Sequence, residues 1–89
     1  MPQRPLTSAQ IRASRALLRW SAEDLARESA VGVTTIRRAE LTEHETSLTA
    51  ANDRSVRRAL ESAGVEFIDE NGGGPGVRLR KRQRGSTPG

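Results

Sequence analysis

Arginine carries most of the chemistry open to this chain: all but one of its 15 basic residues are Arg. Arg37 and Arg38 stand together in a short stretch flanked by Ile36 and Ala39. At helical spacing the two apolar residues turn inward and the two guanidiniums outward, where a planar fork of donors meets a phosphate or a base edge. The plainer alternative is a solvated helix face paired with Glu40 or with acids further along the chain. A second basic run, Arg78, Arg80, Lys81, Arg82 and Arg84, contains no acid. It suits salt-dependent attraction to a polyanion, or simply keeps the chain soluble.

Other candidates carry less. His44 lies between Glu43 and Glu45, but with one His and no Cys in the chain the usual transition-metal set cannot be assembled. An exposed loop His is the expectation, with no metal and no cofactor. Gly72-Gly73-Gly74-Pro75-Gly76 lacks the Gly-Lys-Ser/Thr ending of a phosphate loop and reads as a hairpin connection. Ser and Thr fall at caps and loops, where local hydrogen bonding accounts for them. No nucleophile–base pair is suggested, so the chain is not expected to be an enzyme. Trp20 reads as a packing residue at a helix corner.

The elements that hold these residues must come from 89 residues, 34% of them hydrophobic and 2% aromatic. That allows one small domain with a thin core, expected either to be marginally stable or to be aided by a partner subunit. The net charge of +4 is unevenly placed. Residues 1–76 hold ten Arg and all 11 acids, so the excess sits in the tail. Without Cys the chain suits a reducing cytoplasm. No apolar run approaches the ~18 residues of a membrane span, and no secretory leader is expected.

Local signals divide the chain. Residues 1–6 contain Pro and are expected to be loose. Thr7 and Gln10 form a capping box before a helix to about Arg19, with Ile11, Ser14, Leu17 and Leu18 on its inner face. Ser21, followed by Glu23 and Asp24, starts a second helix to about Ser29, with Leu25 and Ala26 inward. Ala30–Val33 breaks it, and a third helix follows over Val33–Glu40. Leu41–Leu48 is polar and linker-like. A fourth helix covers about Thr49–Ala63 on the stripe Val56, Ala59, Leu60 and Ala63, with Gly64 as its C′ residue. Asp53 falls on that stripe and is an alternative cap for a helix beginning at Arg54. Within residues 64–80, Val65–Ile68 and Val77–Arg80 alternate as a hairpin, with Val65, Phe67, Val77 and Leu79 turned toward the helices. Residues 81–89 are basic, then Ser/Thr/Pro/Gly-rich, and are expected to be disordered.

From Ser21 to Glu40 a capped helix, a tight turn and a short second helix with outward Arg follow one another. Here the chain resembles the Cro/C1-type (XRE) helix-turn-helix family. The residues that carry the resemblance are Ile11, Leu17-Leu18, Trp20-Ser21, Glu23-Asp24-Leu25-Ala26-Arg27, Val31 and Thr35-Ile36-Arg37-Arg38-Ala39-Glu40, within about residues 7–63. The resemblance implies a mostly α, four-helix domain (residues 7–63) closed by the β-hairpin of residues 64–80. It also implies a small bacterial transcriptional regulator, with Val33, Thr34, Arg37, Arg38 and Arg27 as its DNA-binding residues. A homodimer would let two recognition helices span two half-sites.

Several positions depart from the family's DNA-binding pattern: Ala22 for Gln, Ala30 for Gly, Gly32 for Ser or Thr, and Val33 for a polar base reader. A bidentate base contact is worth roughly 1–3 kcal/mol of discrimination, and these residues make none. Val33 offers only a thymine-methyl contact. The chain is therefore also similar to antiactivators of rhizobial type, which keep this fold but bind and inhibit transcription activator proteins such as quorum-sensing activators.

Overall fold

In a computed structural model, described for residues 4–42, 46, 48–68 and 72–80, each helix begins at a residue whose side chain binds its own first turn or at a glycine. Thr7 accepts from the Gln10 N–H and Gln10 accepts from the Thr7 N–H, the capping box that the sequence predicts for α1 (Ser8–Leu18). The Gln10 side-chain amide also donates to the Gly76 carbonyl at 3.1 Å, which ties α1 to the start of the second strand. Ser21 and Asp24 form a second box at 2.9 Å on α2 (Ala22–Ser29). Gly32 leads into α3 (Val33–Ala39) with no side-chain cap. Thr49 caps α4 (Ala50–Ser62) by accepting from Asn52 N–H.

Gly64, at φ +110°, lets the chain leave α4 directly into β1 (Val65–Ile68). β2 (Gly76–Leu79) returns antiparallel, with Val65 opposite Leu79 and Phe67 opposite Val77. The molecule is thus mostly helical, with a two-stranded C-terminal hairpin. α2 packs against both α3 and α4, while β2 lies along α1 and β1 along α4. Leu6, Ile11, Leu25, Ile36, Val56, Leu60 and Val65 fill the centre.

Four expectations change. Residues 1–6 are not loose throughout, because Leu6 is fully buried. Its N–H donates to Asp53 at 2.9 Å, its carbonyl accepts from Thr46 N–H, and Arg57 donates to the Arg4 carbonyl at 2.6 Å. Asp53 therefore anchors the N-terminal segment instead of capping a shorter helix. The buried Arg57 sits 3.8 Å from Asp53, with its guanidinium 5.1 Å from the Phe67 ring centroid. Leu17 is 40% exposed; it sits on the flank of the inner stripe, about 60° around the helix from Ser14. Leu79 is 46% exposed although its cross-strand neighbour Val65 is buried, so Val65 is fully covered and Leu79, at the end of β2, only about half. The tail, residues 81–89, lies outside the described residues.

Two stability outcomes follow. Leu6→Ala empties a fully buried site and is expected to cost about 3 kcal/mol in urea unfolding, far beyond what a loose terminus would show. Ala30 closes α2 in the left-handed region at φ 60°, where a Cβ is strained. Ala30→Gly is expected to stabilise by about 1 kcal/mol, a rise in Tm of about 4–8 °C.

Candidate nucleic-acid interface

Two helices of 8 and 7 residues and the turn between them build the surface that carries Arg37 and Arg38. The turn is fixed from inside. Val31 is buried, its N–H donates to Ser29 Oγ, and Ser29 Oγ donates to the Leu25 carbonyl at 2.7 Å. α3 is then seated by Ile36 and Ala39, each 1% exposed. A helix this short is not stable alone, so its orientation comes from what holds its far end. Arg15 of α1 supplies that hold. Its Nε and Nη2 donate to the two carboxylate oxygens of Glu40 at 2.6 and 2.7 Å, and its Nη1 donates to the Trp20 carbonyl at 2.9 Å. The hydrogen bonds to Glu40 push the Arg15 pKa above its ordinary value, against the opposing effect of burial.

The sequence-predicted pattern holds on α3: Ile36 and Ala39 inward, Arg37 and Arg38 outward. Thr34, Arg37 and Arg38, at i, i+3 and i+4, share one exposed face. Val33 packs partly against the core, so only part of its side chain reaches the surface. Arg27 is exposed on α2, 3.0 Å from Asp24 and 3.6 Å from Glu28. Glu40, which sequence spacing offers as a partner for α3, is taken by Arg15. Arg37 instead pairs with Glu23 across the two helices. Arg38 forms no ion pair among the described residues. Arg78, at the head of the basic run, is bonded to Glu66 at 2.8 Å.

Glu23 is the residue of this face whose contact the sequence does not reveal. Its place in the first turn of α2 signals a helix-dipole role, and nothing local signals a contact 14 residues away. Its own backbone N–H, then the charge of Arg37, hold its carboxyl below the ordinary range. The Ser21 N–H, then Arg27, do the same for Asp24.

Trp20 is partly buried against the core, which is the packing role expected. His44, Glu43 and Glu45 lie outside the described residues, and among the described residues no group of three or more His, Cys, Asp or Glu could hold a metal ion. An open cleft of about 310 Å³ between α2 and α4 is lined by Glu28, Ser29, Ser55, Arg58, Ala59 and Ser62, with no α3 residue in it. No described helix is long and apolar enough to cross a membrane. Compared with known proteins, the chain matches no family model and no curated protein.

Because the carboxyls of Glu23 and Asp24 titrate lower in the fold than in the unfolded chain, their stabilisation is fully present above the ordinary carboxylate value and is lost as pH falls from there through the lower folded values. Protection of the Ser21–Asp24 amides against exchange, taken relative to their intrinsic rates, is therefore expected to fall below about pH 4, ahead of the middle of α4. Equal loss at both places would show that the carboxyl caps do not hold α2.

Proposed function

We propose that α2, its turn and α3 work as a helix-turn-helix of Cro/C1 type, and that the protein is a small bacterial transcriptional regulator that binds duplex DNA through α3. The observation that carries this reading is the α3 face: a short helix clamped at one end and seated by two buried side chains, with Thr34, Arg37 and Arg38 presented together to solvent. In such a unit the second helix enters the major groove while the first crosses the backbone. Arg38 reaches a base edge or phosphate, Thr34 bonds a base, the exposed part of Val33 meets a thymine methyl, and Arg37 and Arg27 meet phosphates. The basic tail adds sequence-independent attraction. Two copies would place their α3 helices one DNA turn apart, roughly 34–36 Å. A protein of this kind acts in the cytoplasm, with no catalysis and no cofactor.

A second reading has its own observation. Arg27 and Arg37 both have carboxylate partners, so Glu23, Asp24 and Glu28 balance Arg27, Arg37 and Arg38 across the α2–α3 surface. A face without net charge suits a protein partner as well as a polyanion. On this reading the protein is an antiactivator that binds and inhibits a transcription activator.

Selection of duplexes from a random pool, followed by salt-dependent anisotropy, separates the two. A regulator is expected to bind its selected duplex about a thousandfold or more tighter than random duplex. Arg38→Ala is expected to cost about 1–3 kcal/mol on that duplex. No enrichment over random DNA, together with capture of an activator by the intact chain, would replace the first reading with the second.

A further inference from the structure

The contact between Glu23 and Arg37 serves no visible structural end. It joins α2 to α3, but those helices are already held by buried Leu25, Val31 and Ile36 and by the Arg15–Glu40 clamp. Both partners remain largely in water, with side chains 56% and 60% exposed. An ion pair in that setting stabilises a fold by little. What it changes is the surface. Glu23 Oε2 accepts directly from Arg37 Nη2, the guanidinium that stands one residue from Arg38 and one helical turn from Thr34. A phosphate approaching α3 meets an arginine with an Nη2 donor already engaged and a carboxylate beside it.

Resting on the DNA-binding reading above, we propose that Glu23 is a negative determinant of duplex affinity, competing with the DNA backbone for Arg37. The competition is intramolecular and needs no rearrangement of either helix, because only two exposed side chains move. A phosphate bonded through Arg37 Nη2 requires the Glu23 contact to open, and one bonded through the remaining donors lies beside the Glu23 carboxylate and is repelled by it. That cost is the same on every sequence, so it lowers non-specific and specific binding together. Discrimination is left to Thr34, Arg38 and the exposed part of Val33. Asp24 acts differently. It is bonded to the Ser21 N–H and to Arg27 on its own helix, so it leaves Arg37 untouched.

The test uses the 89-residue chain, the duplex selected by the wild-type protein, and four variants: Glu23→Gln, Arg37→Gln, the double substitution, and Glu61→Gln on α4 as a control for net charge. Amide spectra first establish that each variant keeps the helices. Glu23→Gln is expected to bind about two- to fivefold tighter at low salt. Its plot of log affinity against log salt should steepen by at most about 0.9, the value of one phosphate contact, as Arg37 meets phosphate in more of the complexes. In the Arg37→Gln background the gain should fall by half or more, and Glu61→Gln should match wild type. An unchanged affinity for Glu23→Gln overturns the proposal. So does a gain that survives in full without Arg37, or an equal gain from Glu61→Gln. If wild type binds duplex and Glu23→Gln adds nothing, the competition alone is wrong. If neither wild type nor any variant binds duplex, the DNA reading and the competition both fall.

Discussion

A single guanidinium ties together the three parts of the chain that must agree for α3 to face outward. Arg15 reaches from α1 to the carboxylate of Glu40 just past α3, and to the Trp20 carbonyl at the corner before α2. The two parallel bonds to Glu40 fix direction as well as distance, which a lysine ammonium could not do. The Glu40 side chain is 9% exposed, so removing Arg15 would leave a nearly buried carboxylate without its partner, a loss of several kcal/mol in comparable pairs. Ile36 and Ala39 supply the burial that makes α3 helical, and the Arg15–Glu40 pair decides which way the helix points once it has formed.

Features that depend on neighbours within about four residues were legible in the sequence. Thr7 with Gln10, Ser21 with its acidic first turn, Thr49 at the start of the fourth helix and Gly64 after it all mark boundaries that the structure keeps within a residue or two. The inward and outward residues of α3 were legible for the same reason, since helical periodicity alone sorts Ile36 and Ala39 from Arg37 and Arg38. What escaped depends on partners distant in sequence. Leu6 reads as part of a Pro-containing terminus until Asp53, 47 residues on, is seen to hold its N–H. Asp53 looks misplaced on the inner stripe of α4 until the Leu6 N–H that donates to it is present, and nothing in the sequence marks Arg57 as buried against the Arg4 carbonyl. Leu17 and Leu79 have the right period but lie where the layer packed against them stops. On the candidate face, periodicity places Arg37 correctly and says nothing of its pairing with Glu23, because side chains on two different helices meet only after the turn between them has closed.

This division between local and distant signals also explains why the scaffold can be read further than its ligand. On α3 the buried residues are Ile36 and Ala39, and Glu40 just beyond it is claimed by Arg15. These three positions suffice to place the helix, so the fold exerts little constraint on Thr34, Arg37 or Arg38. Ala22 and Gly32 are tolerated on the same grounds. Ala22 is buried at the start of a helix already capped by Ser21 and Asp24. Gly32 leaves α3 without a side-chain cap, a small loss where tertiary burial supplies most of the helix's stability. A scaffold with these properties can change what it binds without changing how it folds. On this chain the exposed face is balanced: three carboxylates stand beside three guanidiniums, and two of those guanidiniums are already engaged. Exposed pairs of this kind exchange one anion for another at little cost. The balance therefore does not exclude a polyanion. It leaves this face without the long-range attraction that a net positive surface would exert on one, so any such attraction comes from the basic run that begins at Arg78.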